Sequence, residues 1–81
     1  MILQGVKTTE KIIKMIEAEN TLCFITDRKT RKKEIEKEVE ELFNVKIEKV
    51  RTMISGNKKY AYVKLKKEYS AADVATKIGV L

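Results

Sequence analysis

Five of the seven residues Asp27-Arg28-Lys29-Thr30-Arg31-Lys32-Lys33 are cationic, and they fall where a helix is expected to begin. The start of a helix already carries about half a positive elementary charge, so each cation there costs about 0.3–1 kcal/mol at low salt. The same helix then turns acidic through Glu34, Glu36, Glu38, Glu40 and Glu41, again against the dipole. An anionic partner would compensate such an inverted gradient. Free backbone amides and clustered cations at a helix start suit phosphate groups, so recognition of a polyanion, nucleic acid first, is the chemistry these residues offer.

Other cations repeat the pattern. Arg51 and Lys64 share a hairpin with Lys58 and Lys59 at its tip, and Tyr60 and Tyr62 stand among them. Lys7, Lys11 and Lys14 flank the start of the first helix. Cations interleaved with aromatics suit stacking on bases and contact with phosphates in folded RNA. The tyrosines would serve equally as packing beneath a helix with the lysines as solubilising charge, and both readings stand.

Catalysis is poorly served. The chain has no histidine, which removes the usual general base and the commonest metal ligand. Its one cysteine, Cys23, cannot build a zinc site or an internal disulfide, and it sits in an apolar run as a small buried hydrophobe would. Gly5, Gly56 and Gly79 are isolated, so no phosphate-cradling loop is formed. The acids of the second helix lie among lysines at mixed spacings, as on a solvated face. No enzyme, cofactor, metal or small-molecule substrate is expected.

These residues must be positioned by a small scaffold. The 81 residues are expected to form one domain, 1–81, with a net charge of +6 and a pI near 9.5. With 43% apolar and 37% charged residues the composition is globular, and its richness in Lys, Glu and Ile leans toward a thermophile. No stretch of 18 uncharged apolar residues occurs, and Met1-Ile2-Leu3-Gln4-Gly5 lacks the apolar core of a signal peptide. A cytoplasmic location is expected.

Periodicity then gives the elements. Residues 1–7 are a lead-in with an edge strand through Ile2, Leu3 and Gln4. Thr8-Thr9-Glu10-Lys11 opens a helix over about 9–19 whose stripe is Ile12, Ile13, Met15 and Ile16, with Asn20 as its left-handed stop. Thr21–Thr26 reads as a strand covered on both faces. A second helix runs from about Thr30 to Phe43 on the spacing of Ile35, Val39, Leu42 and Phe43. Thr30 is a good cap, but Lys33 stands where a capping box needs an acid, so the start is fixed only to within one residue.

Val45 to Ile54 alternates, slips at Glu48-Lys49 and alternates again, the signature of a β-bulge. Ser55-Gly56-Asn57-Lys58 is a short hairpin connection, and Lys59–Leu65 returns with Ala61, Val63 and Leu65 on one face and Tyr60, Tyr62 and Lys64 on the other. Ser70 and Asp73 cap a last helix, with Val74, Ala75 and Ile78 inward and Gly79 as its stop. The expected fold class is α+β: a (β)αβαββα split βαβ arrangement, a mainly antiparallel three- to four-stranded sheet packed with helices. The first full strand and Val45–Ile54 would run parallel, with Lys59–Leu65 antiparallel between them.

Five motifs occur in order: Thr9-Glu10-Lys11 before an apolar helix; Glu19-Asn20 before a strand with Leu22 and Phe24; Lys32 with Glu34-Ile35; Leu42-Phe43-Asn44-Val45-Lys46-Ile47-Glu48-Lys49-Val50; and Tyr69-Ser70-Ala71-Ala72-Asp73-Val74-Ala75-Thr76-Lys77-Ile78-Gly79. Together they resemble the large-subunit ribosomal protein twenty-three family in its archaeal and eukaryotic form, over essentially the whole chain. The resemblance implies a cytoplasmic ribosomal protein that binds large-subunit (23S-type) rRNA at the rim of the polypeptide exit tunnel. It implies contact with ribosomal protein twenty-nine and a landing surface for the signal recognition particle, the nascent-polypeptide-associated complex and the protein-conducting channel.

On this resemblance Thr9, Glu10 and Lys14 belong to the factor-docking surface. The rRNA-binding set is Lys7, Lys11, Arg28, Lys29, Arg31, Lys32, Lys33, Arg51, Thr52, Lys58, Lys59, Tyr60, Tyr62 and Lys64. The chain departs from the family in three ways. A proline is missing before the first helix; Arg31 replaces the usual Asn or Thr cap, and Arg51 a frequent Asn; and the hairpin at Ser55–Lys58 is too short to extend into the tunnel. A free-standing, chromatin-like nucleic-acid-binding protein and a small regulatory domain of ferredoxin-like fold remain the alternatives.

Overall fold

Alternation, caps and turn residues divide the chain into β1 (Leu3–Val6), α1 (Glu10–Glu19), β2 (Thr21–Asp27), α2 (Lys32–Phe43), β3 (Ile47–Ser55), β4 (Lys58–Leu65) and α3 (Ala71–Lys77). The structure is a computed structural model and describes residues 3–79. The α+β class and the order of elements are as expected. The edge strand forms through Leu3 and Gln4 and runs on to Val6, while Ile2 lies outside the described residues. The sheet order is β1-β2-β4-β3 with every neighbouring pair antiparallel, so β2 and β3 run in one direction on either side of β4.

Register sorts the side chains into two faces. On the first, Leu22, Phe24 and Thr26 lie opposite Val63, Ala61 and Lys59, which in turn face Val50, Thr52 and Ile54. On the second, Thr21, Cys23 and Ile25 lie opposite Lys64, Tyr62 and Tyr60, followed by Lys49, Arg51 and Met53. Leu22, Cys23 and Phe24 are successive and all buried, so β2 is covered on both sides. Phe43 of α2 stacks on Phe24, ring centroids 5.8 Å apart, and closes the first face. Met15 of α1 borders a cleft with Arg51 and Tyr62, which puts α1 over the second. Each apolar side chain so buried contributes about 1.5–3 kcal/mol.

Local chemistry fixes the ends. Thr9 Oγ1 accepts the Ile12 amide at 3.2 Å and starts α1, and Asn20 stops it with φ 54°. Ser70 Oγ accepts the Asp73 amide at 3.2 Å, and Gly79 follows α3 with φ 84°. The hairpin turns through Gly56-Asn57, with positive φ at Gly56 but not at Asn57, the sign pattern of a type II′ turn. The bulge falls at Glu48, where the β3–β4 register shifts between Ile47 and Lys49.

β2, β3 and β4 each run one residue beyond the sequence reading, to Asp27, to Ser55 and from Lys58, and two element starts differ for reasons the structure gives. The cap of α2 is Arg31 rather than Thr30. Glu34 then occupies the third helical position, and its carboxylate accepts the Arg31 amide at 3.2 Å. A guanidinium has no acceptor, so only this return half of a capping box is made. The strand expected from Val45 begins at Ile47, because Asn44 takes the left-handed conformation (φ 54°) and Val45-Lys46 carry the chain out of it. The Ile47 amide is held by the Glu40 carboxylate at 3.1 Å.

Candidate nucleic-acid interface

The densest cations sit on a rigid turn. Asp27 Oδ1 accepts the Lys29 amide and Asp27 O the Thr30 amide, both at 3.0 Å, so the chain leaves β2 through a turn closed on one aspartate. Arg28 and Lys29 ride on that turn, Arg31 caps α2, and Lys32 and Lys33 are its first two residues. Only the last two therefore lie in the helix against its dipole, and Glu34 partly offsets them. All five side chains are exposed. None forms an ion pair with a described residue; Lys64–Glu48, at 3.5 Å, is on the far part of the hairpin.

The hairpin brings more charge to the same end of the sheet. Asp27 lies opposite Lys58 and Thr26 opposite Lys59, so the turn after β2 and the tip of the β3–β4 ribbon are neighbours. The two lysines differ in use. Lys58 is exposed and reaches Gln4 of β1. Lys59 lies on the first face, half-buried, and donates to the Thr30 carbonyl at 2.6 Å. Its ammonium ties β4 to the approach to α2. Thr52 also points to that face, opposite Ala61, and is half-buried.

The second face carries the aromatics. Lys7 Nζ lies 4.3 Å from the centre of the Tyr60 ring, and the Arg51 guanidinium 5.8 Å from that of Tyr62. Both geometries fall within cation–π range: the rings are half-buried against the sheet, each with a cation beside it. Between α1 and this ribbon a cleft of about 590 Å³ is lined by Lys11, Lys14, Met15, Glu19, Arg51, Thr52, Met53 and Tyr62. Beneath it Cys23 is buried; desolvation raises its thiol pKa, against smaller lowering effects from Lys7 and a hydrogen bond with Tyr62.

The expected docking residues all lie on the first turns of α1 but are used differently. Thr9 spends its hydroxyl on capping α1, Glu10 is exposed in the first turn, and Lys14 lines the cleft beside Arg51 and Tyr62. Met53 was not singled out from the sequence, and Met15 was read only as part of the apolar stripe of α1. Met53, at 48% exposed, is one of three large apolar surface residues with Leu42 and Ile54, and its alternation with Arg51 along β3 was the available signal. No group of His, Cys, Asp and Glu suited to a metal occurs among the described residues, and no helix there is long and apolar enough to cross a membrane.

Residues 1–75 match the model of a family described as ribosomal protein L23. The chain is also similar to the large ribosomal subunit protein uL23 of the archaeon Pyrobaculum aerophilum, at 49% identity over 82 aligned positions that cover 99% of this chain and all of that protein.

Proposed function

Because the chain belongs to the ribosomal protein L23 family, we propose that it acts as an rRNA-binding piece of the rim of the polypeptide exit tunnel. As a member it is a structural protein of the large ribosomal subunit in the cytoplasm. Its work is passive and non-enzymatic. The chain binds as one unit over 1–81: cations neutralise phosphates of several rRNA segments, and the fixed shape of the sheet sets their register.

The observation that carries this reading is the end of the sheet where Arg28, Lys29, Arg31, Lys32, Lys33 and Lys58 gather, exposed and without an acidic partner among the described residues. Repulsion among these charges disfavours the free protein, and phosphates relieve it. Tyr60 and Tyr62 with Lys7 and Arg51 add a second contact surface. The outward Glu10 and the exposed Glu36 and Glu41 of α2 serve protein docking, toward ribosomal protein twenty-nine, the signal recognition particle, the nascent-polypeptide-associated complex and the protein-conducting channel. With a two-residue turn at its tip, the hairpin touches the outer rim only.

Binding to a large-subunit rRNA fragment, measured across a salt series, tests the reading. If about six phosphates are neutralised, the logarithm of affinity falls against that of salt with a slope of about −4 to −5. A flat response contradicts it.

A further inference from the structure

The geometry points to a single-nucleotide site: the cleft between α1 and the β3–β4 ribbon takes one unpaired, extruded nucleotide of the bound RNA. The inference rests on the RNA-binding reading and goes beyond it, since phosphate neutralisation alone requires no cavity. Its base would lie on the Arg51–Tyr62 pair, and its phosphate at Lys11 and Lys14.

Four features converge there. The space of about 590 Å³ is within the range of small-molecule sites. Its walls join the planar, cationic face of Arg51 over Tyr62 to the apolar chains of Met15 and Met53, and such a surface accepts any base by stacking. Lys11 and Lys14 stand one turn apart on α1, on the rim of the same space. Glu19, the acid of the lining, follows two turns after Lys11, so phosphate is favoured at the lysine end and the base toward the ribbon.

A paired base cannot enter. In an A-form duplex the bases are stacked inside and side chains do not read the narrow major groove, whereas bulged and looped bases can be splayed out onto aromatic and guanidinium planes. Met53, exposed on the edge strand beside Arg51, supplies an apolar wall of this site.

The full chain is titrated, at one salt concentration, with RNA hairpins that are fully paired or carry a single bulged A, C, G or U. Bulged RNAs are expected to bind about tenfold more tightly or better than the paired one. Met53→Ser is expected to erase most of that preference while leaving paired-RNA affinity within about twofold, and Arg51→Lys, which keeps the charge but loses the plane, to bring the ratio of bulged to paired affinity toward one. The triple variant Arg31→Ala/Lys32→Ala/Lys33→Ala should weaken both RNAs alike and keep the ratio. Equal affinity of the unaltered chain for bulged and paired RNA, or a ratio that survives both single variants, overturns the site alone. Absent binding of every RNA overturns the parent reading and the site with it.

Discussion

Basic side chains of this protein divide by what they already touch. Lys59 is committed inside the molecule: its ammonium meets the Thr30 carbonyl at 2.6 Å. Lys59→Met is expected to lower stability by about 1–2 kcal/mol, seen as a lower denaturant midpoint, because the half-buried carbonyl loses a charged donor. The side chains of Arg31, Lys32 and Lys33 make no ion pair with a described residue. Their joint replacement by Ala should therefore leave the circular dichroism spectrum unchanged and, by relieving their repulsion and the clash with the helix dipole, raise the denaturant midpoint slightly. It should reduce the magnitude of the salt slope for rRNA binding by about 2–3. Cys23 gives a pH test. Burial keeps the folded thiol protonated after the unfolded thiol has ionised. Stability from this group is therefore full below the ordinary thiol pKa and falls as pH rises above it, until the folded thiol also ionises. Denaturant midpoints should show that alkaline decline, and a Cys23→Ala variant should show less of it.

At the level of elements, most boundaries were legible because each is set by a few neighbours in sequence. Thr9, Asn20, Ser70 and Gly79 act within one turn of their helices, and the bulge at Glu48 followed from two successive polar residues in an alternating strand. The start of α2 was one residue off because Thr30 is the better cap by type. Its burial and the grip of Lys59 on its carbonyl come from a strand 29 positions away. Alternation from Val50 to Ile54 puts Thr52 on the apolar side with Arg51 on the other, although the family resemblance counted both among RNA contacts. The cleft between α1 and β3 was not legible, since the way a helix crosses a sheet is decided by tertiary packing. Asn20 is the clearest joint between elements. Its side chain donates to the carbonyls of Leu65 and Tyr69 at 3.1 and 2.9 Å and accepts the Ala71 amide at 2.7 Å, while its backbone is left-handed. Asn20→Gly, which keeps the backbone conformation, should cost about 2–4 kcal/mol in equilibrium unfolding, and Asn20→Ala more.

For the whole molecule, the sheet gives the charge a direction. Arg28 to Lys33 and the hairpin tip occupy one end, whereas the opposite end, around Asn20, Asn44 and Lys66, is mixed in sign. A net charge of +6 is therefore concentrated rather than spread, which favours one docking orientation on an anionic surface. The marginal core of so small a chain is enough to hold that arrangement, because every strand is paired and β2 is covered on both faces. Lysine acetylation, compared between the free protein and intact large subunits, tests the orientation most directly. Lys29, Lys32, Lys33 and Lys58 should become strongly protected in the subunit, while Lys66 and Lys67 stay far more reactive. Equal reactivity of Lys29, Lys32, Lys33 and Lys58 in both states would contradict the account.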